Sequence, residues 1–250
     1  MFKIKTMNTI SPLGTQILEN HGCEVGSQVE NPEALLIRSA DLHHTEFWPE
    51  LLCIGRAGAG VNNIPIEDCA ERGIVVFNAP GANADATKEM IIFDMLLASR
   101  DMLGAIDWVK TIADKGDEVP DLVEKGKSAF SGPELCGKSL GVIGLGAIGS
   151  LVANLALEFG MTVRGYDPYI SIESAWRLSR NVIHVDYVED IFRTCDYISL
   201  NVPYNDGTHH MINADALAMM RPGVRIMNES RAEVVDDDAM PVSYTHLRAH

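Results

Sequence analysis

Three glycines, Gly144, Gly146 and Gly149, form a G-x-G-x-x-G motif within the stretch GVIGLGAIGS. The motif follows an apolar segment at 140–143 and runs into a helix-like stretch at 148–159. In such a turn the first glycine allows a sharp bend, the second lets the backbone approach a pyrophosphate, and the third lets helix and strand pack closely. The helix N-terminus then offers unpaired amides to the phosphates. The spacing therefore predicts a dinucleotide-binding turn.

A second apolar segment, MTVRGYD, ends at Asp167, roughly twenty residues after the glycines, which is the spacing of a ribose-binding carboxylate. A carboxylate at this point accepts hydrogen bonds from both ribose hydroxyls and repels a 2′-phosphate. We therefore predict NAD as the cofactor. Arg164 and Arg177 lie nearby and leave NADP as the alternative, and a plain strand–helix turn is the interpretation without any nucleotide.

Apolar segments alternate with helix-like stretches along the chain, which is the pattern of an α/β fold with parallel sheets. The predicted strands are 34–37, 51–54, 74–77, 140–143, 162–165, 197–202 and 224–227. The predicted helices are 10–20, 66–72, 88–112, 148–159 and 214–220. We expect the polar stretch 114–131 to be a loop. We place a substrate domain at 1–98 and a nucleotide-binding domain at 99–240.

The composition excludes several classes of partner. The chain of 250 residues has a net charge of −15, which argues against nucleic acid and anionic membranes. No apolar run is long enough to span a membrane, and the N-terminus lacks the pattern of a secretory signal. The five cysteines are scattered and never paired as C-x-x-C, so we expect a reduced, cytoplasmic protein without a metal site. An anionic substrate would need locally placed arginines.

Further stretches carry a resemblance to a known family: RAGAGVNNIPIEDCAERGIVVFNAPGANADATKEM, GYDPY, NVPYNDGTHHMIN and RIMNESRAEVVDDDAM. With the glycine turn, they resemble the D-isomer-specific 2-hydroxyacid dehydrogenases, and within that family the D-3-phosphoglycerate dehydrogenases. The resemblance implies NAD-dependent oxidation of 3-phospho-D-glycerate to 3-phosphohydroxypyruvate in serine biosynthesis. It also implies two Rossmann-like or flavodoxin-like α/β domains with parallel sheets and a cleft between them, the nucleotide-binding one incomplete here. The resemblance further implies dimerisation through the second domain, and a homodimer or tetramer when the protein is full length.

The resemblance also implies substrate-binding residues in the first domain. The family's AGxGVDN loop, whose amides bind the substrate carboxylate, corresponds to Gly58, Ala59 and Gly60, and Asn62 replaces the usual aspartate. The segment IRS resembles the one in which an arginine meets the phosphate end of the substrate, which makes Arg38 and Ser39 candidates. An ordinary surface arginine is the alternative for Arg38.

Arg231 is the candidate catalytic residue. Its planar guanidinium can hold the 2-keto oxygen and the carboxylate together and stabilise the negative charge that builds on the oxygen. A surface ion pair with Glu229 or Asp236 is the alternative, and Ala232 and Glu233 follow where the family has a glycine. The residues that match the family's cofactor contacts are Gly144, Gly146, Ala147, Ile148, Gly149, Asp167, Val202, Pro203, Glu229, Ser230 and Arg231.

Oxidation of a 2-hydroxy acid also needs a base, usually a histidine supported by a carboxylate. In the family these groups lie in a segment ending in EP and in a PHxG motif, and neither occurs in this sequence. The stretch YTHLRA follows Arg231 too closely, so we expect 241–250 to be a foreign tail and the chain to be a truncated, inactive piece. Two alternatives stay open: a glyoxylate or hydroxypyruvate reductase of the same family, and a non-catalytic NAD-binding interaction module.

Overall fold

The computed structural model describes residues 1–240, which divide into two compact units, Met1–Asn83 and the remainder from Ala84. The division falls before helix α3 (Ala84–Ser99), whereas the sequence analysis placed it at the far end of this helix. The reason is that Ile91 and Met95 of α3 are fully buried in the hydrophobic core of the second unit. The tail expected to be foreign, 241–250, lies outside the described residues.

The first unit contains a parallel sheet with the strand order β2-β1-β3-β4-β5. Its elements are β1 (Phe2–Met7), α1 (Pro12–Asn20), β2 (Cys23–Gly26), β3 (Ala34–Ile37), β4 (Cys53–Arg56), α2 (Ile66–Glu71) and β5 (Val75–Asn78). Strands β1 and β2 are not among the predicted strands, because they are largely half-exposed; within β1 only Ile4 is buried. In contrast, β3 is almost fully buried and lies where it was predicted.

The second unit contains another parallel sheet, with the order β10-β9-β6-β7-β8. Its strands are β6 (Ser139–Ile143), β7 (Thr162–Tyr166), β8 (Ile183–His184), β9 (Tyr197–Leu200) and β10 (Arg225–Asn228). Its helices are α3, α4 (Met102–Ile112), α5 (Val119–Gly126), α6 (Ala147–Glu158), α7 (Ile172–Arg177), α8 (Val188–Thr194) and α9 (Ala214–Met219). Single 3₁₀ turns lie at Gly116–Glu118, Lys127–Phe130 and Ala232–Val234. Strand β6 is central and wholly buried, so the loop that follows it is held from both sides.

The single helix predicted over 88–112 is wrong, because the chain breaks it into α3 and α4. At the end of α3, Ser99 Oγ hydrogen-bonds the Tyr197 hydroxyl at 2.7 Å inside the core. Immediately after it, the Asp101 side chain caps the next helix by accepting from the Gly104 amide at 2.9 Å. The buried Ser99–Tyr197 hydrogen bond therefore marks the end of α3, and the Asp101 N-cap starts α4.

The loop predicted over 114–131 is also wrong, because this segment contains α5 and two 3₁₀ turns. The rings of Trp108 and Phe130 pack with centroids 5.3 Å apart. A side chain on Gly126 would overlap the Trp108 ring, so the glycine that suggested a loop instead allows helix α5 to pack against α4. Among the described residues, no helix is long and apolar enough to cross a membrane.

Candidate functional site

The glycine turn joins strand β6 to helix α6, and its three glycines have different surroundings. Gly144 has φ of +87°, and a side chain there would meet the Asn201 carbonyl oxygen at 2.5 Å. A side chain on Gly149 would overlap the Gly144 carbonyl oxygen. A side chain on Gly146 would meet no heavy atom within 4 Å. The turn thus combines a sharp bend, a close helix contact and one open face, which are the features that a dinucleotide turn needs.

Helix α6 begins at Ala147 on the open side of this turn. The amides of Ala147 and Ile148 belong to its first turn, where the helix itself supplies no carbonyl acceptors. No acidic residue lies in that first turn, so none of the helix's own carboxylates neutralises the positive end of its dipole. This helix terminus can therefore accept an anionic group.

Asp167 lies directly after β7 and braces the glycine turn. Its Oδ2 accepts a hydrogen bond from the Leu145 amide at 2.8 Å, and its Oδ1 accepts one from the Tyr169 amide at 2.9 Å. Each carboxylate oxygen has a second lone pair for a ligand hydroxyl. The side chain predicted to bind a ribose therefore also holds the turn in place.

The structure brings Val202 to the same turn. Its Cγ1 lies 3.1 Å from the position that a Cβ on Gly144 would occupy, and it follows β9 at the same edge of the sheet. Pro203, the next residue, is exposed, and its carbonyl oxygen accepts a hydrogen bond from the Thr208 hydroxyl at 2.6 Å. The glycines, Asp167 and Val202, which are distant in sequence, thus surround one turn.

The segment 228–231 begins at the last residue of β10 and is organised by Asn228. The Asn228 Oδ1 accepts from the Ser230 hydroxyl at 2.7 Å, and its Nδ2 donates to the Arg231 carbonyl oxygen at 2.8 Å. The Arg231 side chain is exposed and donates to the Ser230 carbonyl oxygen at 2.9 Å. Within the described chain, neither Glu229 nor Asp236 forms a salt bridge with it. The Arg231 guanidinium therefore lies on the surface of a turn that the Asn228 side chain holds by hydrogen bonds.

Glu229 is half-buried, unlike the exposed Arg231. Its carboxyl group lies in hydrogen-bond contact with that of Asp94 on α3, and Asp94 is only 5% exposed. Burial, and then the neighbouring Asp94 carboxyl, raise the pKa of Glu229 to about 7. Glu229 is predicted from the sequence as a cofactor contact, and Asp94 is not among the predicted site residues. A charge inside the apolar run MIIFDMLL is a signal for a buried carboxyl.

Arg38 and Ser39 lie in a loop after β3 that two asparagines hold in the first unit. The Asn8 Oδ1 accepts from the amides of residues 38, 39 and 40 at 3.4, 3.0 and 2.7 Å. From the other side, Asn63 Nδ2 donates to the Ala40 carbonyl oxygen at 2.7 Å. We call Asn8, residues 38–40 and Asn63 the asparagine clamp. It leaves the Arg38 side chain exposed.

The loop of Gly58, Ala59 and Gly60 is braced from the end of β5. The Asn78 side chain donates to the Ala59 carbonyl oxygen at 2.7 Å, and the Ala79 amide donates to the Gly58 carbonyl oxygen at 2.9 Å. A side chain on Gly58 would overlap the guanidinium of Arg56. Arg56, which is not among the predicted site residues, therefore packs directly against this loop. An arginine that ends a strand just before a glycine loop is the sequence signal for it.

The substrate candidates thus all belong to the first unit and the cofactor candidates to the second. Comparison with known proteins matches residues 93–244 to the family described as "D-isomer specific 2-hydroxyacid dehydrogenase, NAD binding domain". A D-3-phosphoglycerate dehydrogenase of Mycobacterium tuberculosis is 35% identical over 226 residues, which are 88% of this chain and 40% of that protein. A hydroxypyruvate reductase of Thermotoga maritima is 36% identical over 213 residues, which are 83% of this chain and 63% of that protein.

Among solved structures, the NAD⁺-bound 3-phosphoglycerate dehydrogenase of Entamoeba histolytica matches with a TM-score of 0.72 and 26% identity. The match covers 95% of this chain and 74% of that one. The chain spans only about two fifths of the length of several curated relatives, 40% in the case of the M. tuberculosis protein.

Proposed function

Because the chain belongs to the D-isomer specific 2-hydroxyacid dehydrogenase family, we propose that its parent protein oxidises 3-phospho-D-glycerate to 3-phosphohydroxypyruvate with NAD. The relatives named D-3-phosphoglycerate dehydrogenase support this substrate. The single observation that supports the cofactor most directly is the glycine turn, which is open at Gly146 and braced by Asp167.

The described residues fit the dinucleotide. The open face at Gly146 and the first-turn amides of Ala147 and Ile148 would hold the pyrophosphate, and Asp167 would accept from the ribose hydroxyls. Arg177 already pairs with the Glu173 carboxylate, which competes with a 2′-phosphate for this guanidinium. The pair therefore favours NAD over NADP. When bound, NAD supplies the acceptor for the hydride that leaves C2 of the hydroxy acid.

The protein's own groups would bind and polarise the acid. The Arg231 guanidinium would hold the C2 oxygen and the carboxylate and stabilise the negative charge that develops on that oxygen. In the first unit, the loop of Gly58 to Gly60 would bind the carboxylate through its amides, and Arg38 and Ser39 would bind the phosphate. An exposed arginine matters here because the chain carries a net charge of −15, which otherwise repels this substrate.

The cofactor assignment is tested by titrating the 250-residue chain with NADH and with NADPH and following ligand fluorescence. We expect tighter binding of NADH, since the Asp167 carboxylate repels a 2′-phosphate. Equal affinities for the two cofactors would overturn the assignment of NAD.

The substrate assignment is tested in the complete protein with Arg38→Ala. We expect KM for 3-phosphoglycerate to rise at least about tenfold, the loss of one charge-assisted contact, and KM for an unphosphorylated 2-hydroxy acid to change little. Arg72→Ala is the matched control, because Arg72 lies in the same unit but pairs with Asp68 at 2.8 Å. An equal rise for both acids would remove Arg38 from the phosphate site.

The second candidate is a hydroxypyruvate reductase, which the T. maritima relative supports. Comparing kcat/KM for hydroxypyruvate and for 3-phosphohydroxypyruvate in the complete protein separates the two functions. We further propose that the 250-residue chain alone does not reduce NAD with 3-phosphoglycerate, because neither the EP segment nor the PHxG motif of the family occurs in it. Turnover by this chain would show that another group acts as the base.

We also propose that the parent protein is a cytoplasmic homodimer or tetramer. All five cysteines are free thiols, as expected in a reducing compartment. One face of α4 exposes about half of each of four apolar side chains, those of Met102, Leu103, Ile106 and Val109. Such a face is suited to a second copy, and Ile106→Glu should then yield monomers in analytical ultracentrifugation.

A further inference from the structure

Asp94 and Glu229 form a carboxyl pair that the proposed chemistry does not use. Asp94 lies in the middle of α3, one position before the fully buried Met95, and is 5% exposed. Glu229 follows β10, the strand that packs against α3, and directly precedes the turn that presents Arg231. Two acidic side chains from different elements thus meet inside the second unit.

The described surroundings of this pair donate no hydrogen bond to one oxygen of Asp94. Its Oδ2 is buried, and no N–H or O–H group of the described residues donates to it. A deprotonated carboxylate only accepts hydrogen bonds, so a deprotonated Glu229 cannot satisfy this oxygen either. A single proton between the two carboxyl groups converts a repulsive contact into an O–H···O hydrogen bond.

Among residues 1–240, no cation compensates the pair. On β10, Arg225 donates to the Ala98 carbonyl oxygen at 2.7 Å and stacks over the Tyr197 ring, and Arg231 donates to Ser230. On α3, Lys88 pairs with Asp85 at 2.7 Å, two turns away from Asp94. The remaining charged groups of the packed elements are carboxylates: Glu89, the helix-terminal Glu158 of α6, and Glu233.

We propose that Asp94 and Glu229 share one proton, and that this proton anchors the segment 228–231, with Arg231, to helix α3. Asp94 is then a positioning residue for Arg231. The anchor is a property of the chain itself, whereas its effect on cofactor binding rests on the proposed function. As the pH rises and the proton leaves, two carboxylates face each other and the segment separates from α3.

The sign of the pH dependence follows from the direction of the shift. The pKa of Glu229 is raised from 4.5 to about 7, and burial also raises that of Asp94. The unfolded chain therefore loses this proton at a lower pH than the folded chain does. The stability that the pair contributes is fully present below about pH 4.5 and is lost as the pH rises to about 7.

The first experiment observes the proton. The side-chain carboxyl carbons of glutamate are labelled with ¹³C, and the Glu229 resonance, identified by its loss in Glu229→Gln, is followed with pH. We expect a midpoint near 7 in the unmodified chain. In Asp94→Asn it should fall towards the ordinary value, because the amide donates to the Glu229 carboxylate and removes the like charge. A midpoint near 4.5 in the unmodified chain would overturn the shared proton.

The second experiment observes the anchor through tryptic cleavage after Arg231, with the peptide identified by mass spectrometry. Glu229→Gln is the reference at each pH, since its amide donates permanently to Asp94 and cannot titrate. Below the Glu229 pKa we expect equal cleavage of the two chains; above it, the unmodified chain should be cleaved several times faster. A ratio that stays constant with pH would overturn the anchoring, whatever the carboxyl resonance shows.

NADH titration then separates this inference from the proposed function. We expect the affinity of the unmodified chain to fall several-fold as the pH rises past the Glu229 pKa, and that of Glu229→Gln to stay constant. An equal fall in both chains would overturn the positioning role. If neither chain binds NADH while the resonance and the cleavage ratio titrate as expected, the cofactor assignment fails and the anchor stands.

Discussion

The glycine turn of the second unit and the asparagine clamp of the first hold their loops by different means. In the turn, the three glycines and the Asp167 carboxylate belong to one β-α-β stretch, and the hydrogen bond from the Leu145 amide to Asp167 joins residues 22 positions apart. In the clamp, one Asn8 side chain gathers three amides that lie 30 to 32 positions away. The shape of the turn depends mainly on its own backbone and on residues nearby in sequence. The clamp forms only when segments that are distant in sequence come together.

This difference predicts different responses to mutation. A glycine turn fails by overlap, because added atoms have no space and the backbone must move. A mutation in the clamp removes a hydrogen-bond acceptor, and water can replace part of the lost hydrogen bonding because the loop is exposed. We therefore expect the largest effects in the turn and the smallest in the clamp.

Gly149→Ala and Gly146→Ala give the sharpest contrast within the turn. The new methyl group overlaps the Gly144 carbonyl oxygen in the first variant but meets open space in the second. We expect Gly149→Ala to lower the free energy of unfolding of the second unit by about 1–3 kcal/mol, the usual cost of overpacking. Urea unfolding, followed by the fluorescence of Trp108 and Trp176 in a Trp48→Phe background, measures this unit alone.

Gly146→Ala should unfold within about 0.5 kcal/mol of the unmodified chain, since it adds a methyl group to open space. Its affinity for NADH should nevertheless fall about tenfold or more, equivalent to about 1.4 kcal/mol, because the methyl group occupies the approach to the pyrophosphate. Unchanged NADH affinity in a folded Gly146→Ala chain would show that the dinucleotide does not lie over this residue.

Asp167 combines a structural and a binding role, and two variants separate them. Asp167→Ala removes the acceptor for the Leu145 and Tyr169 amides, so we expect the second unit to lose about 1–3 kcal/mol of unfolding free energy. Asp167→Asn keeps one acceptor oxygen and should lose less. Both variants lack the negative charge and should bind NADH and NADPH with similar affinity.

The same urea and fluorescence measurements compare the two Asp167 variants. A chain in which Asp167→Ala unfolds like the unmodified protein would contradict the brace. An Asp167→Asn chain that still prefers NADH clearly would mean that the geometry of the turn, and not the carboxylate charge, selects the cofactor.

The parts of the fold that could be predicted from the sequence are those that depend on residues close together in the chain. Buried apolar segments such as Ala34–Ile37 became strands, and the spacing of Gly144, Gly146 and Gly149 after one of them located the turn. The prediction of two parallel α/β units succeeded because alternation of apolar segments and helices is visible at short range.

The parts that sequence could not predict depend on contacts between distant residues. The break between α3 and α4 depends on Tyr197, which is 98 positions from its partner Ser99. The meeting of Asp94 with Glu229 requires that α3 pack on β10. Periodicity carries no information about such pairs, because each partner satisfies its own local pattern whether or not the other is present.

Mutation of the asparagine clamp should change the free energy of unfolding least. Asn8 has φ of +72°, so Asn8→Gly keeps the backbone conformation and removes the acceptor. We expect this variant to lower the unfolding free energy of the first unit by about 1 kcal/mol, the net value of a hydrogen bond that water partly replaces. Trp48 fluorescence in a background with Trp108→Phe and Trp176→Phe reports this unit alone.

Asn8→Asp is the matched control, because its carboxylate offers an acceptor oxygen at the same place for the amides of residues 38–40. It should unfold within about 0.5 kcal/mol of the unmodified chain near neutral pH, and the amide protons of Ser39 and Ala40 should stay protected from exchange. If Asn8→Asp were as unstable as Asn8→Gly, the acceptor oxygen would not be what holds the loop.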